Sequence, residues 1–352
     1  MKIVSVVGAR PQFIKSAPVS RVISQVGHQE YLLHTGQHYD YGMSAIFFDE
    51  LGIPEPTINL GVGSGTHAQQ TSQMMVGIES VLLSEKPDMV LVYGDTNSTI
   101  AGALAAAKLQ IRLAHIEAGL RSYNRQMPEE YNRVLSDHCA DILFCPTQTA
   151  VDNLAREGIT DAVHLVGDTM YDAVLLFGDL AMAKSSILQR LGVSKGDYLL
   201  LTIHRAYNTD NPAVLASIFS ALSRVQETVI FPAHPRTKMA LRTGQVPVSS
   251  NVMMIDPIGY LDTLMLEKNS RMILTDSGGM QKEAYFFSIP CLTLRPETEW
   301  VETTVNGWNK LVGSNSDTIV EAIKSFQVPK VSPVPVFGNG HASELLVKFL
   351  SC

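Results

Sequence analysis

The chain has 352 residues, which at about 150 residues per domain is length for two domains with sizeable cores and no need of a disulfide or metal staple. Hydrophobic residues make up 45% and charged residues 17%, a charged share below the roughly 25% of ordinary soluble domains, which excludes a disordered chain or a coiled coil and suits many buried strands. With Lys+Arg 27 against Asp+Glu 34 and a net charge of −7, the protein is a poor candidate for wrapping nucleic acid, so an anionic ligand has to be met locally by a few placed cations and backbone amides.

Short apolar runs at Ile3–Val7, Tyr31–His34, Met89–Tyr93, Leu113–Ile116 and Ile142–Cys145 alternate with helical spacing over Pro11–Gln25, Gln69–Leu83, Thr99–Leu109 and Glu129–Cys139. This alternation predicts βαβ units, and therefore a parallel sheet covered on both faces. The first strand leads into Gly8-Ala9-Arg10-Pro11-Gln12-Phe13-Ile14-Lys15, which is not the GxGxxG dinucleotide fingerprint. Pro11 suits the start of a helix, and Arg10 and Lys15 flank an N-terminus that already favours anions. The third run ends in Tyr93-Gly94-Asp95-Thr96, where Asp95 reads equally as a helix cap or as a functional carboxylate. The fourth delivers Glu117 onto the turn His115-Ile116-Glu117-Ala118-Gly119-Leu120-Arg121, and Pro128-Glu129-Glu130 opens the next helix. Acids in a first turn complement the helix dipole. Carboxylates at three such corners, Asp95, Glu117 and Glu129, can also converge as a general acid and base.

The pattern restarts after about residue 165, with strand runs at Tyr198–Ile203, Thr228–Phe231, Val252–Ile255, Met272–Thr275 and Cys291–Leu294. Helical spacing covers Asn211–Val225, Asp262–Lys268, Gly279–Phe287 and Asp317–Phe326. His204 ends one strand and His234 follows the next, both at the end of the sheet where ligands bind. Thr275-Asp276-Ser277-Gly278-Gly279-Met280-Gln281-Lys282-Glu283 is the sharpest local signal: a strand runs through two glycines into a helix whose N–H groups and Ser277 hydroxyl suit phosphate. Glu283, two turns in, suits ribose hydroxyls; the structural alternative is a turn with Ser277 as cap. A Pro-containing stretch, Pro329–Pro335, precedes a last helix near His341–Leu350. The expected architecture is α/β, two Rossmann-like doubly wound domains with the active site in the cleft between them. The expected boundaries are 1–168, 169–330, and a linker with C-terminal helix at 331–352 that returns to the first domain.

Cys139, Cys145, Cys291 and Cys352 form no CxxC pair and no zinc-spaced cluster, so free thiols, a reducing cytoplasm and no metal are expected. No apolar run reaches the roughly 20 residues of a membrane span, and the apolar N-terminus is too short for a signal peptide.

These motifs, with Thr202-Ile203-His204-Arg205, stand in the order and spacing of a known group: the sequence resembles the non-hydrolysing UDP-N-acetylglucosamine 2-epimerases over essentially its whole length. The resemblance implies a glycosyltransferase-B-like fold with UDP bound mainly by the second domain. It implies reversible C2 epimerisation of a UDP-2-acetamido sugar, without NAD or other cofactor, by elimination of UDP to a 2-acetamidoglucal and re-addition. By position, Arg10, Lys15, Ser277, Gly278 and Gly279 hold the diphosphate and Glu283 the ribose. Asp95, Glu117 and Glu129 are the acid/base group, and His204 serves the departing phosphate or supplies a proton. Gln37-His38 matches a pair at the family's allosteric site for a second UDP-sugar, and a homodimer active in bacterial surface polysaccharide synthesis is implied.

The sequence departs from the family pattern at three places. Trp300 replaces an arginine associated with the diphosphate, in Thr298-Glu299-Trp300-Val301-Glu302; Tyr207 stands where a glutamate is usual; and Thr263 stands where an aromatic is usual. The Trp300 form resembles a branch that includes UDP-2,3-diacetamido-2,3-dideoxy-glucuronate 2-epimerases. A hydrolysing epimerase, a non-catalytic UDP-sugar-binding regulator and a glycosyltransferase are the other readings of the same residues.

Overall fold

The structure, a computed structural model, describes residues 1–37, 48, 51 and 55–350. The chain forms two compact units, one of residues Met1–Leu176 with Pro335–Cys352 and one of Phe177–Val334.

In the first unit β1 (Lys2–Val7), β2 (Gln29–His34), β3 (Ile58–Asn59), β4 (Met89–Tyr93), β5 (Arg112–Ile116), β6 (Ile142–Cys145) and β7 (Val163–Leu165) form one sheet in the order β3-β2-β1-β4-β5-β6-β7. Every pair is parallel. The expected strands are all present, and the two-residue β3 and three-residue β7 extend the edges. The crossovers are α1 (Arg10–Gln25), α2 (His67–Glu85), α3 (Asn97–Lys108), α4 (Pro128–Cys139) and α5 (Gln148–Arg156). Val4, Val6, Val90 and Val92 meet Met74, Ile78 and Leu82 of α2 and Ala101 and Ala105 of α3 in one core. Alternate strand residues such as Ile3, Leu91 and Ala114 are buried too, as a sheet covered on both faces requires. Helix α6 (Thr169–Lys184) leaves this unit, and the chain returns to it through the last helix, α15 (Ala342–Leu350), which packs on α1.

In the second unit β8 (Tyr198–Thr202), β9 (Thr228–Pro232), β10 (Val252–Ile255), β11 (Met272–Thr275), β12 (Cys291–Thr293) and β13 (Asn309–Leu311) run in the order β10-β9-β8-β11-β12-β13, all parallel. Leu199 and Leu201 face Leu215, Ile218, Phe219 and Ile319. Tyr198 and Leu200 face Leu266, Ala284 and Ile187. This period-2 division of a continuous apolar strand puts one core on each face.

Both sheets are doubly wound, as expected. Strand order reverses between β1 and β4 in one unit and between β8 and β11 in the other. Connections leave these neighbours in opposite directions, which opens a crevice at their carboxyl ends. No helix among the described residues is long and apolar enough to cross a membrane.

The N–H groups of Ala342 and Ser343 open α15 and donate to Asp172 Oδ1 and Oδ2 at 3.2 and 2.7 Å. Such caps are worth about 1–2 kcal/mol. Asp172→Ala should therefore lower the free energy of urea unfolding by that amount, with a lower midpoint, and expose α15 to limited proteolysis. An unchanged midpoint and digestion pattern would contradict the cap.

Candidate active site

The switch point of the first unit is built from β1, β4 and β5. A Cβ on Gly8 would come within 2.2 Å of the Thr35 hydroxyl and 2.1 Å of that of Ser98, so only glycine lets the strand end pass between them. Gln12 then joins β1 to β4. Its Oε1 accepts from the N–H groups of Gly8 and Ala9 at 2.8 and 3.0 Å, and its Nε2 donates to the Tyr93 carbonyl at 2.8 Å. Arg10, half-buried, opens α1 beside Pro11.

Lys15 and Glu117, both buried, form an ion pair with Nζ and Oε1 2.6 Å apart. Both atoms lie next to Gly94, 3.5 and 3.4 Å from where its Cβ would be. Glu117 sits at φ +71°. A non-glycine residue there stores about 1–3 kcal/mol of strain that its surroundings must hold, a condition common at functional sites. Asp95 does not cap the next helix: Thr96 does, its side chain accepting from the Thr99 N–H. Asp95 instead pairs with Arg133, whose other arm reaches Glu130 Oε2 at 2.8 Å. Glu130 is buried and also accepts from the Ser122 and Tyr123 N–H groups at 3.0 and 2.8 Å. The carboxylate tied to Asp95 is thus Glu130; Glu129 stands half-buried beside it in the same first turn.

Behind these turns lies a buried network that sequence reasoning did not assign. His115 points its Nδ1 at Asp137 Oδ1 and its Nε2 at the Gly94 carbonyl, each at 2.7 Å. Asp137 Oδ2 accepts from the Gly119 N–H at 3.1 Å and from Arg121 at 2.7 Å. Arg121 also grips Glu157 through two bonds of 2.7 Å. Burial works against the charge of Asp137, but His115 and Arg121 outweigh it and hold the carboxyl below its ordinary value of 3.8. Burial likewise opposes the charge of Arg121, and Glu157 and Asp137 overcome it, holding the guanidinium above its ordinary value. The signal in the sequence was a polar residue inside an apolar strand and an acid well inside a helix; neither names its partner.

Gln37, three residues beyond β2, accepts from the Ser98 N–H and hydroxyl at 3.1 and 2.8 Å. His38 lies outside the described residues.

At the switch point of the second unit, Asp276 is fully buried and organises the ends of β8 and β11. Its carboxylate accepts from the N–H groups of His204 and Arg205 at 3.1 and 3.0 Å and from Asn208 Nδ2 at 3.0 Å. The His204 ring, about half exposed (48%), has its Nδ1 3.2 Å from the same carboxylate. Ser277 caps α12 (Gly278–Phe286), accepting from the Met280 N–H, which is the structural alternative that the sequence left open. A Cβ on Gly278 would lie 2.4 Å from Glu299 Oε1 and 3.1 Å from Trp300 Nε1, so a side chain where the helix begins would have to displace Glu299. Glu283 is buried and accepts from the Tyr260 hydroxyl at 2.9 Å.

The departures from the family pattern have distinct settings. Trp300 is buried, with Lys282 Nζ 3.9 Å above its ring centre, a cation–π contact. Tyr207 is exposed, and Thr263 Oγ1 donates to the Gly259 carbonyl. His234 caps its helix, its Nδ1 accepting from the Arg236 N–H, while burial and then Arg236 lower its pKa. No group of three or more metal-ligating side chains occurs among the described residues.

The sequence model of the UDP-N-acetylglucosamine 2-epimerase family matches residues 22–351. A UDP-N-acetylglucosamine 2-epimerase homolog of Methanococcus maripaludis is 53% identical, with 99% of each chain covered. The UDP-2,3-diacetamido-2,3-dideoxy-D-glucuronate 2-epimerase of Pseudomonas aeruginosa is 47% identical over 100% of this chain and 99% of its own. Among solved structures, the UDP-GlcNAc 2-epimerase of Methanocaldococcus jannaschii, in complex with UDP-GlcNAc and UDP, superposes with a TM-score of 0.94 at 44% identity, covering 100% of this chain and 99% of its own.

The lowered pKa of Asp137 makes its contribution to stability fully present above the ordinary carboxyl value and lost as pH falls through the lower folded value. Asp137→Asn should cost about 3 kcal/mol in urea unfolding at neutral pH, as for removing one partner of a buried ion pair. That gap should narrow once the pH drops below the ordinary 3.8. A gap constant down to strongly acid pH would contradict this assignment.

Proposed function

The chain belongs to the UDP-N-acetylglucosamine 2-epimerase family, and from that premise we propose that it is an isomerase inverting C2 of a UDP-2-acetamido sugar of the UDP-N-acetylglucosamine type. The observation that carries this reading is the Lys15–Glu117 ion pair beside Gly94 and Asp95, with Glu117 held at positive φ. It supplies a stiffly held carboxylate and a cation where a doubly wound sheet takes its ligand.

In the proposed cycle one of the carboxylates Asp95, Glu117 and Glu129 removes the C2 proton. The C1–O bond to UDP breaks as the C1–C2 double bond of a 2-acetamidoglucal forms. UDP then adds back to C1 as a proton is delivered to the opposite face of C2. Atoms balance without any redox cofactor. Arg10 and Lys15 meet the negative diphosphate; a lysine ammonium has three donors, so Lys15 can serve Glu117 and a phosphate oxygen together. In the second unit Ser277, Gly278 and Gly279 offer the start of α12 to the diphosphate, and Glu283 offers its carboxylate to ribose hydroxyls. Asp276 orients His204 toward the departing phosphate. Gln37, with His38, is the proposed contact for a second UDP-sugar. The resemblance extends the reading to a cytoplasmic homodimer in surface polysaccharide synthesis.

A second substrate is favoured by a specific observation. Trp300 stands at the position of an arginine associated with the diphosphate, and a full-length relative at 47% identity is named for UDP-2,3-diacetamido-2,3-dideoxy-D-glucuronate.

Incubation with each sugar nucleotide in deuterium oxide separates these readings. Deuterium should enter C2 without net release of UDP; net release would mark a hydrolase, and binding of both nucleotides without exchange would mark a regulator. Glu117→Gln and Asp95→Asn should each lower turnover by about 10²-fold or more while retaining UDP affinity, as for loss of an acid or base. Arg10→Ala should mainly weaken UDP binding by calorimetry, and unchanged affinity would remove it from the phosphate site.

A further inference from the structure

The two turns that carry Asp95 and Glu117 are fastened from behind by one pair of side chains. The Gly94 carbonyl, immediately before Asp95, faces His115 Nε2 at 2.7 Å. A carbonyl only accepts, so that nitrogen carries the hydrogen. On the other side of the ring, Asp137 faces Nδ1 and extends its second oxygen to the Gly119 N–H, two residues beyond Glu117. Arg121 and Glu157 complete the chain outward. The backbone ties the same turns together, with the Gly94 N–H donating to the Ile116 carbonyl and the N–H groups of Glu117 and Ala118 to that of Phe144. His115 and Asp137 are fully buried, where such bonds are stiff and an unmade one is costly. Glu117 needs that stiffness: at φ +71° it relaxes unless its neighbours hold it.

We infer that His115, backed by Asp137, is a positioning residue of the epimerase reaction: it sets the spacing of the Asp95 and Glu117 carboxylates without touching substrate. This rests on the reading that those carboxylates carry the chemistry. A His–Asp pair that merely stabilised the fold would lower the melting temperature and leave the kinetics alone. A positioning pair separates kcat from KM, because on the proposed reading UDP is met chiefly by Ser277, Gly278, Gly279 and Glu283, whereas misplacement of the reacting groups falls on the chemical step.

The test uses whichever sugar nucleotide the parent protein epimerises. His115→Leu removes both bonds; His115→Gln keeps an amide donor of similar reach for the Gly94 carbonyl. The expected result is a kcat lower by about 10–100-fold in His115→Leu, with KM and UDP affinity within about two-fold of the parent, and partial recovery in His115→Gln. Thermal melts confirm folding. If His115→Leu does not fold, His115→Gln decides alone, its kcat having to fall by about three-fold or more with UDP affinity retained. A folded variant with parental kcat overturns the inference, and so does a kcat that falls only in step with UDP affinity. Glu117→Gln in the same assay separates the two levels. If it is inactive while His115→Leu is fully active, only the positioning role fails. If Glu117→Gln is fully active, the chemical role of Glu117 fails and the positioning role with it; if the parent epimerises neither nucleotide, the functional reading itself fails.

Discussion

Neighbouring parallel strands whose connections leave in opposite directions cannot both have their carboxyl ends roofed by a crossover. That constraint acts between β1 and β4 in one unit and between β8 and β11 in the other, and the residues at those strand ends inherit whatever chemistry the unit performs. In the first unit they are Arg10, Lys15, Asp95 and, one strand over, Glu117. In the second they are His204 and the Ser277-Gly278-Gly279 turn. The rest of each unit serves to keep these ends where they are: continuous apolar strands, cores on both faces and helices whose caps stop them on time.

A chain with few charges has to place them in pairs when it buries them, because an unpaired buried charge costs several kcal/mol. The first unit solves this with linked contacts. Lys15 meets Glu117, Arg133 bridges Asp95 and Glu130, and His115 and Arg121 share Asp137. Each contact neutralises a charge and also fixes a turn. At the switch point of the second unit the buried carboxylate of Asp276 does this with neutral donors, collecting the backbone of His204 and Arg205 and the amide of Asn208. In both units the group that orients a candidate functional residue is a buried acid one strand or one helix away.

The strand ends were legible in the sequence because a four- or five-residue apolar run followed by a polar corner is a local pattern. The edge strands β3, β7 and β13 were not, since two or three residues carry no period. The helix Gln148–Arg156 lies outside the expected helices, although Thr147, its cap, and the spacing of Ala150 and Leu154 mark it. Asp95 stood evenly between cap and functional acid on local grounds. In the structure Thr96 is the cap and Asp95 pairs with Arg133, 38 residues away, a partner that no local rule could supply. Glu129 and Glu130 are alike as first-turn acids; what distinguishes them is a fold that turns Glu130 onto Arg133 and the amides of Ser122 and Tyr123.

Periodicity, glycine and proline placement and charge sparseness are properties of neighbouring residues, and they were enough to establish two doubly wound sheets, their strand ends and the residue types standing there. Partnership is a property of residues far apart in the chain. That Lys15 pairs with Glu117, that His115 spans Asp137 and Gly94, and that Gly278 lies against Glu299 follow only once the crossovers bring separate strands side by side. Side-chain pairing in a buried site depends on distances of a few ångströms, and those are set by packing rather than by spacing along the sequence.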